Sequence, residues 1–190
     1  MKKIYINYEQ MQGHASNIIH QMNKAQWSPD YIVGITRGGL LPAVLLSQYL
    51  DVPMYTLRVS LRDGNDDSES NCWMCLDAFG YDLDENNFKI YDAALEYTDT
   101  SLVTTVPKKN ILIVDDINDS GATIAWIKND WESNCLPKSK KWNDIWNQNV
   151  KFATIVDNVA SEQKVDYASM EINKKEESSW IYFPWENWWE

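Results

Sequence analysis

The chain has 190 residues, 44% of them hydrophobic and 24% charged, with a formal net charge of −11 and a pI near 4.6. That length suits one α/β domain with a sizeable core. The acidic balance argues against a nucleic-acid or anionic-membrane partner, because no segregated basic patch offsets it. No apolar run reaches transmembrane length, and Met1–Tyr5 lacks the apolar core of a signal peptide, so a cytoplasmic location is expected.

Met11, Ala15, Ile18 and Met22 recur at helical spacing and predict an amphipathic helix from Tyr8 to Lys24, ended by Ser28-Pro29. Tyr31–Ile35 is then a short buried strand, Thr36-Arg37-Gly38-Gly39 a turn, Leu40–Leu50 a helix, and Val52–Ser60 the next strand. Strand, helix, strand in about thirty residues is a βαβ unit, which implies a parallel sheet. Paired glycines at a strand-to-helix turn allow a backbone to approach a ligand closely, and Arg37 adds a fixed charge suited to phosphate oxygens.

The stretch 61–107 departs from this pattern. It opens polar and acidic and carries aromatic residues in its middle (Trp73, Phe79, Tyr81, Phe88, Tyr91). A structureless connection of that length is uncommon inside a domain, so part of it is expected to fold, as a lid or as an interface insertion. Cys72 and Cys75 form a C-x-x-C, and Cys135 stands alone. A zinc site needs further well-spaced ligands, whereas His14 and His20 are remote in sequence, so reduced, partly buried thiols are the reading.

Ile111-Leu-Ile-Val114 is a buried-strand pattern, with Asp115 and Asp116 expected where the strand ends. Asp119-Ser120-Gly121-Ala122-Thr123 follows as a loop of small residues leading into a helix with Ile124, Ile127, Trp131 and Cys135 on one face. Such a loop presents N–H groups and the positive end of a helix dipole to a phosphate. The adjacent carboxylates suit vicinal hydroxyls or a hydrated Mg²⁺. A plain turn would not call for two further acids beside the loop. Lys138–Lys141 reads as a solvated basic turn, Trp142 and Trp146 as core cover on a short helix, Val150–Val156 as the last good strand, and Val165–Ile172 as an extended segment.

The stretch Ile111–Thr123 resembles the PRPP-binding motif of the type I phosphoribosyltransferases, and Thr36–Gly39 resembles their pyrophosphate-binding loop. The ending Trp180-Ile181-Tyr-Phe-Pro-Trp-Glu186 is similar to the hood of the purine members of the xanthine–guanine type. The resemblance implies a central, mostly parallel sheet flanked by helices, in one domain (1–190) with a long loop insertion at 61–107 and a hood at 157–190. It implies transfer of a 5-phosphoribosyl group from PRPP to a nucleobase, a 6-oxopurine in first place, with Mg²⁺ as cofactor and a homo-oligomeric assembly.

By the same resemblance Ser120, Gly121, Ala122 and Thr123 hold the 5-phosphate together with Asp119, and Arg37 and Gly38 grip pyrophosphate. Asp115 and Asp116 serve the ribose and the metal, Asp119 takes a proton from the acceptor, Trp180 and Ile181 hold the base, and Glu186 assists the metal. Ala122 stands where several relatives have lysine or glycine. The 6-oxopurine enzymes also carry a lysine just after the last strand, but Val156-Asp-Asn-Val159 has none and Lys164 comes later; Asn158 is the candidate donor to the base. That departure leaves two alternatives open: a phosphoribosyltransferase with a non-purine acceptor, or a PRPP- or nucleotide-sensing regulator.

Overall fold

The computed structural model describes residues 1–59, 72–82, 104–134, 140–186 and 189. Strand β1 (Lys2–Tyr5) leads into α1 (Tyr8–Lys24), β2 (Tyr31–Thr36), α2 (Leu40–Leu50) and β3 (Met54–Arg58). Helix α3 (Cys72–Phe79) and the short strands β4 (Tyr81–Asp82) and β5 (Thr104–Thr105) come next. They are followed by β6 (Ile111–Asn118), α4 (Ala122–Asn134), a 3-10 turn at Lys140–Asp144, β7 (Val150–Asn158), β8 (Tyr167–Ile172) and β9 (Ser179–Tyr182).

Five strands form an all-parallel sheet in the order β3-β2-β6-β7-β8. The chain leaves β2 toward β3 on one side and leaves β6 toward β7 on the other. The carboxyl ends of the adjacent strands β2 and β6 are therefore a topological switch point, where open α/β sheets bind ligands.

Alternation within β6 shows why both faces are covered. Ile111 and Ile113 join a core with α3, Trp131 of α4, Trp142 and Trp146. Leu112 and Val114 join the opposite core with α1 and α2. Successive side chains point to opposite faces, so an unbroken apolar run becomes the centre of a three-layer domain. Helix α1 begins at Asn7, whose side chain accepts the Gln10 N–H (2.8 Å) while the Gln10 side chain accepts the Asn7 N–H (2.8 Å). This capping box fixes the start of the helix, and Met11, Ala15, Ile18 and Met22 are buried as their spacing implies.

Several boundaries differ from the sequence reading. Strand β3 starts two residues late because Val52 N–H is drawn back to the Ser47 carbonyl at the end of α2 (3.3 Å) and Pro53 has no N–H to give. Strand β6 continues four residues past its apolar run, since the ladder with β7 persists at Asp115↔Thr154, Ile117↔Val156 and Asn118↔Asp157. Asp115 and Asp116 thus lie within the last half of the strand rather than after it. Within the stretch 61–107, α3 folds into the core through Met74, Cys75, Ala78 and Phe79. Cys75 is buried and in no disulfide, whereas Cys135 and most of 61–107 lie outside the described residues.

A strand unforeseen in the sequence, β1, pairs in parallel with β9 (Lys2↔Ser179 through Tyr5↔Tyr182), so the small sheet draws on both ends of the chain. Strand β8, within the stretch read as hood, is instead the edge of the main sheet. Among the described residues no helix is long and apolar enough to cross a membrane.

Candidate active site

Two loops leave the strands that flank the switch point, one after β2 and one after β6. The first joins β2 to α2, with a cis peptide between Thr36 and Arg37, Gly39 N–H donating to Ile35 O (2.9 Å) and Leu40 N–H to Arg37 O (3.2 Å). A Cβ on Gly38 would overlap the carboxylate of Asp116, and one on Gly39 would press on Val114 O, Ile35 O (2.8 Å) and the Asp115 Cα (2.9 Å). The glycine pair therefore lets this loop lie directly against the acidic end of β6. The Asp115 carboxylate accepts the Asp116 N–H (3.0 Å), and the Arg37 side chain is exposed.

The second loop, Asp119–Thr123, opens α4. Gly121 adopts φ +89°, a left-handed conformation costly for other residues, and its Cα face lies against Gln163 N and Ser161 Oγ. The Ser120 hydroxyl accepts the Ala122 N–H (3.3 Å), and the helical ladder starts at Ala125 N–H to Gly121 O (2.9 Å). The N–H groups of the first helical turn have no acceptor within the helix, which suits an anion there.

Buried amides hold this loop to the end of β7. Asn118 Nδ2 donates to Asp157 Oδ1 (2.7 Å) and to Gln163 O (2.9 Å), while Ser161 Oγ donates to Asn118 Oδ1 (3.1 Å). Asn158 Nδ2 donates to Asp119 O (2.8 Å), and Asn158 Oδ1 accepts from Ala160 N (3.3 Å) and Lys174 N (3.1 Å). Expected as a base contact, Asn158 here ties three backbone segments together. Lys174, from the turn after β8, pairs with Asp119 Oδ2 at 2.8 Å. Lys174 and Asn118 escaped the sequence reading. Lys174 is 55 residues from Asp119 and sits in an ordinary charged stretch, and Asn118 reads as a loop residue until the strand is seen to include it.

The C-terminal strand β9 and the residues after it carry the remaining candidates. Trp180 is 47% exposed on the outer face of β9, Ile181 turns into the core, and Glu186 Oε2 accepts the Phe183 N–H (3.2 Å). Glu186 also borders a cavity of about 430 Å³ with Lys3, Tyr5, Ile6, Tyr182, Phe183 and Pro184. Trp185 stacks on Phe183 (4.9 Å between centroids), and Trp189 is 67% exposed.

Among the described residues no three His, Cys, Asp or Glu side chains converge as a metal cage. Mg²⁺ is commonly held by one or two carboxylates plus phosphate oxygens rather than by an all-protein cage, so Asp115 and Asp116 fit such an ion as a donor set.

Behind the second loop, burial raises the Asp166 pKa, partly offset by the Phe152 N–H it accepts (2.8 Å) and by Lys151 and Lys128. Burial lowers the pKa of Lys128, whose Nζ donates to Gln163 Oε1 (3.1 Å).

An acidic pair at the end of β6, flanked by two glycine-bearing loops, lies where open α/β sheets bind their ligands. The family model for the phosphoribosyl transferase domain matches residues 3–188, and the chain belongs to that family. It is 21% identical over 204 residues to xanthine phosphoribosyltransferase 1 of Saccharomyces cerevisiae, covering 97% of this chain and 90% of that protein. The purine phosphoribosyltransferase of Pyrococcus horikoshii superposes with a TM-score of 0.61 at 22% identity, covering 98% of this chain and 96% of the other. The xanthine-guanine-hypoxanthine phosphoribosyltransferase of Helicobacter pylori gives 0.59 at 16% identity, covering 97% and 94%. These superpositions match the parallel sheet and its flanking helices, the type I phosphoribosyltransferase fold.

Proposed function

We propose that the protein transfers a 5-phosphoribosyl group from PRPP to a ring nitrogen of a nucleobase, in first place a 6-oxopurine, giving a nucleoside 5′-monophosphate and pyrophosphate. The observation that carries this is the overlap a Gly38 Cβ would make with the Asp116 carboxylate. Two loops of the kind that bind phosphates are held against one acidic strand end, as a ligand with phosphate at both ends of a ribose requires. The printed names of the relatives support a purine acceptor.

The barrier to this reaction lies in breaking the bond between the anomeric carbon and the pyrophosphate oxygen. Arg37 and the backbone of Gly38 and Gly39 stabilise the departing negative charge. The loop 119–123 grips the 5-phosphate, and that remote binding energy fixes the ribose for attack. Asp115 and Asp116 hold the ribose hydroxyls, and their field favours the positive charge that grows on the sugar. Asp119 takes the proton from the attacking nitrogen. Bound by Asp115 or Asp116 and the substrate phosphates, Mg²⁺ would supply charge neutralisation at the leaving group.

The test is pyrophosphate release from PRPP with Mg²⁺ across hypoxanthine, guanine, xanthine, adenine, uracil and orotate. Release with one or more 6-oxopurines is expected. Release with uracil or orotate alone would replace the acceptor, and tight PRPP binding without release on any base would replace catalysis with sensing.

A further inference from the structure

Asp119, Asn158 and Lys174 form a closed triangle whose purpose the reaction above does not explain. The Lys174 ammonium pairs with Asp119 Oδ2 (2.8 Å), the Lys174 N–H donates to Asn158 Oδ1 (3.1 Å), and Asn158 Nδ2 donates to Asp119 O (2.8 Å). Asn158 is 7% exposed, so one buried amide fixes both the loop residue and the backbone of its counter-ion.

The turn that bears Lys174 is itself built. Glu176 and Glu177 N–H donate to Asn173 O (3.1 and 2.9 Å), and Lys175 N–H donates to Asn173 Oδ1 (3.2 Å). An ordinary surface lysine loses side-chain entropy when it pairs and gains little. Here the backbone at the root of the side chain is already fixed.

The charges explain why such a pair is useful. The loop residues Ser120, Gly121, Ala122 and Thr123 carry no cation, and the loop begins with a carboxylate. A phosphate dianion seated on the loop amides lies a few ångströms from Asp119, and an uncompensated carboxylate there would repel it. Two other nearby lysines are engaged: Lys164 Nζ donates to Val159 O (3.0 Å) and Lys128 Nζ to Gln163 Oε1 (3.1 Å).

We propose that Lys174 is a positioning residue that neutralises and aims the Asp119 carboxylate at the mouth of the 119–123 loop, so that the loop can accept the 5-phosphate of a phosphoribosyl donor. This rests on the reading of the site as a PRPP site.

The test is a double-mutant cycle read as PRPP affinity by calorimetry in Mg²⁺, on wild-type protein, K174M, D119N and the double variant. A phosphate about 6 Å from an unpaired carboxylate at a surface dielectric should lose affinity by about tenfold or more in K174M. With the carboxylate removed by D119N, adding K174M should change affinity by less than about twofold, because no charge is left to compensate. K174R should restore affinity. Since the pair is partly exposed, melting temperatures should stay within about 2–4 °C of one another. Equal losses from K174M in both backgrounds would mean that Lys174 touches the phosphate directly, and no loss in either would mean the pair is idle; both overturn the proposal. Failure of the wild-type protein to bind PRPP would instead overturn the reading of the site, and the inference with it.

Discussion

Replacing Gly38 by alanine separates fold from function at the point where the β2–α2 loop lies against the acidic end of β6. The new Cβ would fall within the Asp116 carboxylate, with Oδ1 at 2.9 Å and the other carboxylate atoms closer still. Ordinary van der Waals contact needs about 3.5 Å, so the carboxylate must withdraw by more than about 1 Å. A side-chain end can do this cheaply, and the stability cost should stay near 1 kcal/mol. Displacing a group that positions substrate by about 1 Å can cost about 100-fold in rate, equivalent to about 2.7 kcal/mol of transition-state stabilisation. The assay is kcat/KM for pyrophosphate release beside a urea unfolding curve. G39A is the contrast: its Cβ meets Val114 O and Ile35 O, backbone atoms that cannot step aside, so it should lose about 1–3 kcal/mol of stability. G38A with wild-type kcat/KM would refute the claim that Gly38 and Asp116 share one site.

Two further substitutions probe the acid-base reading. D119N should retain PRPP binding while turnover falls about tenfold or more, since the proton acceptor is lost and the loop amides remain; unchanged single-turnover rates would remove Asp119 from that role. D166N reports on pH. Burial raises the Asp166 pKa above its usual 3.8, so its contribution to stability is fully present below that value and is lost as pH rises through the raised folded-state pKa. D166N carries no such loss, so its stability relative to wild type should improve as pH increases across that window. Urea midpoints at several pH values that move the other way would contradict the cause assigned.

Much of the fold was legible because its signals are local. Helix α2 was read as Leu40–Leu50, as observed, because an apolar run there lies between the Gly38-Gly39 turn and the next strand pattern. Helix α1 was marked by its apolar stripe and the Ser28-Pro29 break after it, and β6 by an apolar run that only a doubly covered strand requires. Strand β1 was not legible, since four residues with two lysines form a strand only because β9 lies alongside. Nor could the sequence show that Asp115 and Asp116 sit within β6, because the ladder with β7 keeps the strand going past its apolar residues. Both loops were legible as strand-to-helix turns because their small residues and charges are local in the sequence. The residues that brace the second loop, Asn118, Asn158 and Lys174, act through long-range hydrogen bonds that no local pattern announces.

The most direct measurement is product formation. The protein would be incubated with PRPP, Mg²⁺ and each 6-oxopurine, and the mixture examined by mass spectrometry for the nucleoside 5′-monophosphate, with G38A in parallel. The account predicts nucleotide and pyrophosphate in equal amounts from the wild-type protein and about 100-fold less from the variant. PRPP consumed without nucleotide, or nucleotide formed equally by both proteins, would contradict it.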